Sequence, residues 1–185
     1  MRKLLIAIIA LVVASSALAL EVGGVKLDDK ATVGGQELVL NGAGIRTKVF
    51  IKIYVGGLYL PAKAGDIAGV LAKGPRRIQL VLLRDLSADQ LIDALVDGMK
   101  ANSTPDELAA TSSQTAEMVA TMKAFKDVKE KEVVTLDFVD GATKIGLNGA
   151  TKASIAGEPF NRALTRIWLG EHPAQADLKK AMLGG

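Results

Sequence analysis

LNGAGIRTKVFIKIYVGGLYLP, residues 40–61, is the stretch on which the reading of this chain turns. It opens with a glycine-punctuated segment, Gly42-Ala43-Gly44, which reads as a turn, followed by Arg46. Apolar residues then recur at every second position: Val49, Ile51, Ile53, Val55 and Tyr59 share one face of a predicted strand. The other face mixes cations, rings and a glycine: Arg46, Lys48, Phe50, Lys52, Tyr54, Gly56 and Leu58. Two arrangements produce such a mixture. One is the wall of a ligand cavity, apolar with a few placed polar groups. The other is a central strand packed on both sides with its lysines at a wet end, and the pattern alone favours that one.

Outward from this stretch, the flanking segments supply partners for a sheet. Val22–Leu27 and Gln36–Leu40 read as strands, separated by Asp28-Asp29-Lys30 and Gly34-Gly35 turns. Residues 64–73 carry a short helical pattern that Gly74-Pro75 stops, and Ile78–Leu83 is apolar enough for an interior strand. Two helix starts follow. Ser87 with Gln90 forms a capping box, and Thr104-Pro105-Asp106-Glu107 adds a proline at the first helical position. The second helix is expected to run to Phe125, with Thr111, Ser112 and Thr115 interrupting its apolar stripe. Val133–Val139, Thr143–Leu147 and Thr151–Ile155 then make an antiparallel meander through Asp140-Gly141 and Asn148-Gly149 turns. Pro159 and Pro173 open two last helices. Strands, helices, strands, helices in that order predict an α+β domain with a largely antiparallel sheet.

The amino terminus has the form of an export signal. Arg2-Lys3 precede an apolar run, residues 4–13, and a small-residue cleavage site at Ala17-Leu18-Ala19. The expected boundaries are a signal peptide over 1–19 and one domain over 20–185, with a periplasmic or secreted destination. The apolar run is too short to span a bilayer, so no membrane span is expected after cleavage. Removing Arg2 and Lys3 lowers the formal charge from +3 to +1. No basic stripe is left to argue for nucleic acid. There are no cysteines and a single histidine, His172. A thiolate metal site is therefore impossible, and a histidine metal site or triad has too few residues to form. No cofactor or metal is expected. The Asp28–Lys30 and Lys126–Glu132 charge clusters read as solvated turns, and Met99, Met118 and Met122 as core filler that would also suit a cavity for flexible chains.

The segment GAGIRTKVFIKIYVGGLYLP resembles the chalcone isomerase family, in particular its bacterial exported branch. The likeness continues through LRDLSADQLIDALVDGMKAN, FKDVKEKEVVTLDFVDG and IAGEPFNRALTRIWLGEHPAQADLKKAMLG, and so spans the chain beyond the signal. The resemblance implies an open-faced β-sandwich, an antiparallel sheet covered on one face by helices with a ligand cleft between. The family's enzymes close a chalcone into a flavanone by phenolate attack on an enone. That chemistry needs a cation near the nucleophile and donors where negative charge develops on the carbonyl. Arg46 matches the family's active-site arginine, and would be the catalytic cation if the chain were an enzyme. Tyr54 stands where the enzymes have threonine, Leu91 where they have tyrosine, Gly98 where they have asparagine and Asn161 where they have a hydroxyl residue. The fatty-acid-binding branch, where an arginine and a tyrosine hold the carboxylate, matches better.

The function expected from these residues is a cofactor-free, non-catalytic binder of a fatty acid or another amphipathic carboxylate. Arg46, Tyr54 and Asn161 are its candidate ligand groups. The alternative is an isomerase of the chalcone type acting on an unknown enone. Eight residues of straight strand would hold Arg46 and Tyr54 about 27 Å apart. They converge only if the chain turns near Thr47–Phe50, where no glycine, proline or asparagine marks a turn.

Overall fold

A computed structural model describes residues 19–185, so that the expected signal segment, residues 1–19, lies outside the described residues except for Ala19. Seven strands form one antiparallel meander in strict chain order: β3 (Lys30–Val33), β4 (Gln36–Lys48), β5 (Ile51–Leu60), β6 (Arg76–Leu82), β7 (Val133–Val139), β8 (Ala142–Leu147) and β9 (Ala150–Ala156). A separate two-stranded hairpin, β1 (Leu20–Val22) and β2 (Val25–Leu27), precedes them. It turns at Gly23-Gly24, so the single strand expected over Val22–Leu27 is split. Among the described residues six helices complete the α+β architecture: α1 (Ile67–Val70), α2 (Ala88–Ala101), α3 (Pro105–Ala110), α4 (Ser112–Phe125), α5 (Glu158–Leu169) and α6 (Ala176–Met182).

The alternation within the strands divides the interior in two. On one face Tyr54, Leu58 and Leu60 of β5, Ile78, Leu80 and Leu82 of β6 and Leu136 and Phe138 of β7 meet the helices in the main core. Phe160, Leu164, Ile167 and Trp168 of α5 lie across from them. On the other face Val55, Tyr59, Val81 and Val139 join Leu27, Val33, Leu38 and Leu40 in a smaller core on the side of the β1–β2 hairpin.

Local chemistry accounts for the ends of most elements. Both expected capping boxes are present, Ser87 with Gln90 and Thr104 with Glu107, each satisfying two otherwise orphaned amides. Asp140-Gly141 and Asn148-Gly149 turn their hairpins with positive φ at both residues, which suits the right-handed twist of the strands. The long helix expected from Thr104 to Phe125 is broken instead at Thr111, giving α3 and α4. Buried Thr111 turns its hydroxyl back to the Glu107 carbonyl at 2.8 Å, competing with the helical ladder at that point.

The decisive stretch departs from its expected form in two places. Gly42–Gly44 is no turn; it lies inside the thirteen-residue strand β4. The chain reverses at Val49-Phe50, with φ of 47° and 66°. A register shift on the β5 side then displaces Ile53, which packs against the main core rather than continuing the face of Val55 and Tyr59.

Candidate functional site

The Val49-Phe50 reversal brings Arg46 and Tyr54 together. They are register partners on β4 and β5, so the separation along a straight strand is replaced by a cross-strand distance of about 5 Å between Cα atoms. Directly opposed residues project to the same face of a sheet, and here it is the face under the helices. Tyr54 is almost wholly buried there, and its hydroxyl accepts a 3.0 Å hydrogen bond from Nε1 of Trp168 on α5. Burial pushes the phenol pKa well above its ordinary value, against the smaller opposing effects of the Trp168 bond and the Arg46 charge.

Arg46 is only part-buried and is served by neutral acceptors. Its Nη1 donates to the Thr47 carbonyl at 3.1 Å and to Oε1 of Gln175 at 3.3 Å. The same Gln175 oxygen accepts from the Thr47 amide at 2.8 Å. Among the described residues Arg46 makes no ion pair. One amide oxygen thus occupies a position that collects a guanidinium N–H and a backbone N–H.

Gln175 arrives there because α6, which it precedes, is seated unusually close to the sheet. A Cβ on Gly42 would stand 2.1 Å from the Ala181 carbonyl oxygen, and one on Gly44 would stand 2.8 Å from the Ala181 Cβ. The glycines that read as a turn are instead the floor under a helix. Asn41, the extra residue of a bulge in β4, fixes the other end of that seat. Its side chain donates to the carbonyls of Met182 (2.8 Å) and Ala64 (2.9 Å) and accepts from the Ala64 amide (2.8 Å).

Asn161 is not part of this corner. It sits on α5 seven residues before Trp168, about 10 Å along the helix axis, and its Oδ1 accepts from the Thr143 hydroxyl of β8. Its neighbours form a separate buried polar group. Thr165 donates to the Asn161 carbonyl at 2.9 Å, Arg76 donates to the Thr165 hydroxyl at 3.2 Å, and the Arg76 guanidinium lies 4.6 Å above the Phe138 ring. Burial, then the nearby Arg162, lower the Arg76 pKa to about 10, with Glu158 opposing.

Leu91 and Gly98, which the resemblance sets against the enzymes' tyrosine and asparagine, are both taken up in packing. Leu91 lies against the main core. Gly98 is where α2 and α5 come closest, and a Cβ there would fall 2.7 Å from Ile167 Cγ2. Met99, Met118 and Met122 are buried in the same core. Two surface grooves lie elsewhere. One of about 280 Å³ runs between Glu107, Thr111, Glu158, Pro159, Arg162 and Arg166, and one of about 390 Å³ crosses the outer sheet face around the Arg77–Asp137 ion pair.

Sequence reasoning missed two partners that define the corner, Gln175 and Trp168. Trp168 lies on the apolar face of the helix that Pro159 opens, but nothing local announces that its ring nitrogen meets Tyr54. Gln175 stands two residues after Pro173 and just before a helix, and carries no recognisable signal of its own.

The family model that matches this chain is described as chalcone isomerase-like and covers residues 19–184. Among solved structures the chain is similar to an Arabidopsis thaliana fatty-acid binding protein, with a TM-score of 0.65. That similarity covers 86% of this chain and 92% of the other, at 12% sequence identity. At that identity it speaks for the fold alone. No curated protein matches by sequence.

Proposed function

Because the chain belongs to the chalcone isomerase-like family, we propose that it is an exported, cofactor-free protein that holds a fatty acid or another amphipathic carboxylate between sheet and helices, with the head group at Arg46. The observation that carries this reading is the Arg46 corner, where a part-buried guanidinium and the Thr47 amide converge on one neutral oxygen. A carboxylate in place of the Gln175 oxygen would receive both donors, turning the guanidinium bond into an ion pair and the Thr47 amide bond into a charge-assisted one. The fatty-acid binding protein of like fold supports the choice of ligand class. Export is supported by the signal-like residues 1–19.

The space beneath the helices is filled by side chains, so an acyl chain enters only as the helices move off the sheet. Met99, Met118 and Met122 are suited to such repacking, since their unbranched side chains fill irregular gaps. The Tyr54 hydroxyl accepts from Trp168 and keeps its own O–H to donate, so it can join the head-group site with that bond intact, while Arg46 supplies the charge and is the principal anchor.

About twelve methylenes supply roughly 10 kcal/mol of gross transfer energy, before the cost of association. The charged head contributes about 1.5–3 kcal/mol. Arg46→Ala should therefore weaken binding of a long-chain acid by about one to two decades, measured by displacement of a fluorescent fatty acid, and weaken that of the matching alcohol less. Equal losses for acid and alcohol would remove Arg46 from the head-group site.

A further inference from the structure

The tip of the β4–β5 hairpin is built against local preference. A two-residue reversal with positive φ at both positions calls for Asn-Gly or a close relative, and the Asp140-Gly141 and Asn148-Gly149 turns of this chain comply. At Val49-Phe50 the same backbone is adopted by a β-branched residue and an aromatic one, at φ 47° and 66°. Such conformations are outliers for bulky side chains. The two residues also gain no shelter: Phe50 is 98% exposed, Val49 78% and the adjoining Ile51 50%. Three apolar side chains are thus held out from the fold at a strained reversal of the backbone. Strain of this kind, starting from the observed outlier, is a pointer to function.

The surroundings specify the partner. Lys48 pairs with Ile51 and Lys52 with Thr47, at successive positions of the ladder. Successive positions project to opposite faces, so one exposed lysine lies on each side of the ribbon just behind the apolar tip. Among the described residues neither forms an ion pair. We infer that this tip is a membrane-docking element: Val49, Phe50 and Ile51 enter the headgroup layer of an anionic lipid surface while Lys48 and Lys52 pair with its phosphates.

A second copy of the chain fits less well, because tip-to-tip contact would bring four lysines together. A protein partner would find only three apolar side chains on a two-stranded tip, far below the roughly 800 Å² per side of a stable interface. For an interfacial anchor the same arrangement is sufficient, with shallow apolar burial and cations at headgroup level. The inference stands apart from the ligand assigned to Arg46.

The test is flotation of residues 19–185, which contain every element of the described fold, with vesicles of 30% phosphatidylglycerol in phosphatidylcholine and with pure phosphatidylcholine. The parent protein should float with the anionic vesicles, and added salt should weaken this. Lys48→Glu and Lys52→Glu should each lower partitioning by about five-fold or more, and Phe50→Ser by at least about ten-fold. The double change Val49→Asn/Phe50→Gly installs the residues that the turn prefers. It should melt at or above the parent temperature and no longer float. Equal binding to both vesicle types, a folded Asn-Gly variant that still floats, or a tip-dependent dimer in sedimentation velocity would each overturn the inference.

Discussion

Removing the Tyr54 hydroxyl separates two roles that this residue could have. In the structure the hydroxyl is the acceptor for Trp168 Nε1 at 3.0 Å, inside the main core. Tyr54→Phe keeps the ring and its packing but leaves the indole N–H without a partner in a place that water does not reach. An orphaned buried donor costs about 1–3 kcal/mol, which in a domain of this size lowers the melting temperature by about 2–12 °C. Tyr59→Phe provides the internal control. Tyr59 is just as buried by area, yet its hydroxyl donates to and accepts from no group among the described residues, so its removal should cost less. Urea unfolding followed by the fluorescence of the chain's single tryptophan is the natural assay, since that tryptophan is the partner in question. A Tyr54→Phe loss no larger than that of Tyr59→Phe would refute the argument. It would leave the hydroxyl's own O–H donor, rather than its bond to Trp168, as the reason for a tyrosine at this position.

Two further outcomes follow from the same packing. Gly42→Ala should destabilise by about 1–3 kcal/mol or more, because its methyl would meet a backbone carbonyl of α6 at 2.1 Å and only movement of the helix relieves that; Gly65→Ala, with nothing within 4 Å, should be neutral in the same urea titration. Alkaline titration should find both tyrosines resistant to ionisation: burial, reinforced by Asp28 and Asp29 against Arg77, pushes the Tyr59 phenol to about 12, and burial raises Tyr54 as well. Stability is then complete below pH 10 and falls as pH rises from 10 through 12, since the unfolded chain gives up phenol protons that the fold retains. A native protein showing half of its phenolate absorbance at 295 nm by pH 10 would contradict this.

What could be read in the sequence was what is locally encoded. The capping boxes at Ser87 and Thr104 and the Asp-Gly and Asn-Gly turns satisfy their own backbone groups within a few residues, so their chemistry is visible in the string. The Val49-Phe50 reversal is different. Nothing local favours it; the pairing of β4 with β5 and of β5 with β6 on either side imposes it. The glycines at 42 and 44 misled for a related reason. A glycine is required both by a positive φ and by close approach of another backbone, and only the position of α6 tells the two apart. For the site, Arg46 and Tyr54 were identifiable by residue type and by family resemblance. Their convergence depended on the turn that local preference could not supply. Asn161 was selected by the same resemblance and lies instead with Thr143, Thr165 and Arg76, because α5 carries it past β8 rather than towards β4.

The contrast between Gly98 and Arg46 bears on what this scaffold does. At Gly98 the helices α2 and α5 close until a Cβ would strike Ile167, so an amide side chain cannot be added without parting them. That is a position given over to packing. At Arg46 the opposite holds. A cation is kept part-buried beside a close-seated helix, with its bonds going to a glutamine oxygen and its neighbour's carbonyl rather than to a carboxylate of the chain. A guanidinium needed only for stability is more economically placed as Arg77 is, in a two-pronged pair with Asp137 at 2.6 and 2.7 Å. The chain thus has the means to neutralise an arginine on this sheet, yet among the described residues Arg46 has no such partner. An anion brought from outside would complete the corner, and the long side chain of Gln175 can swing aside to admit it.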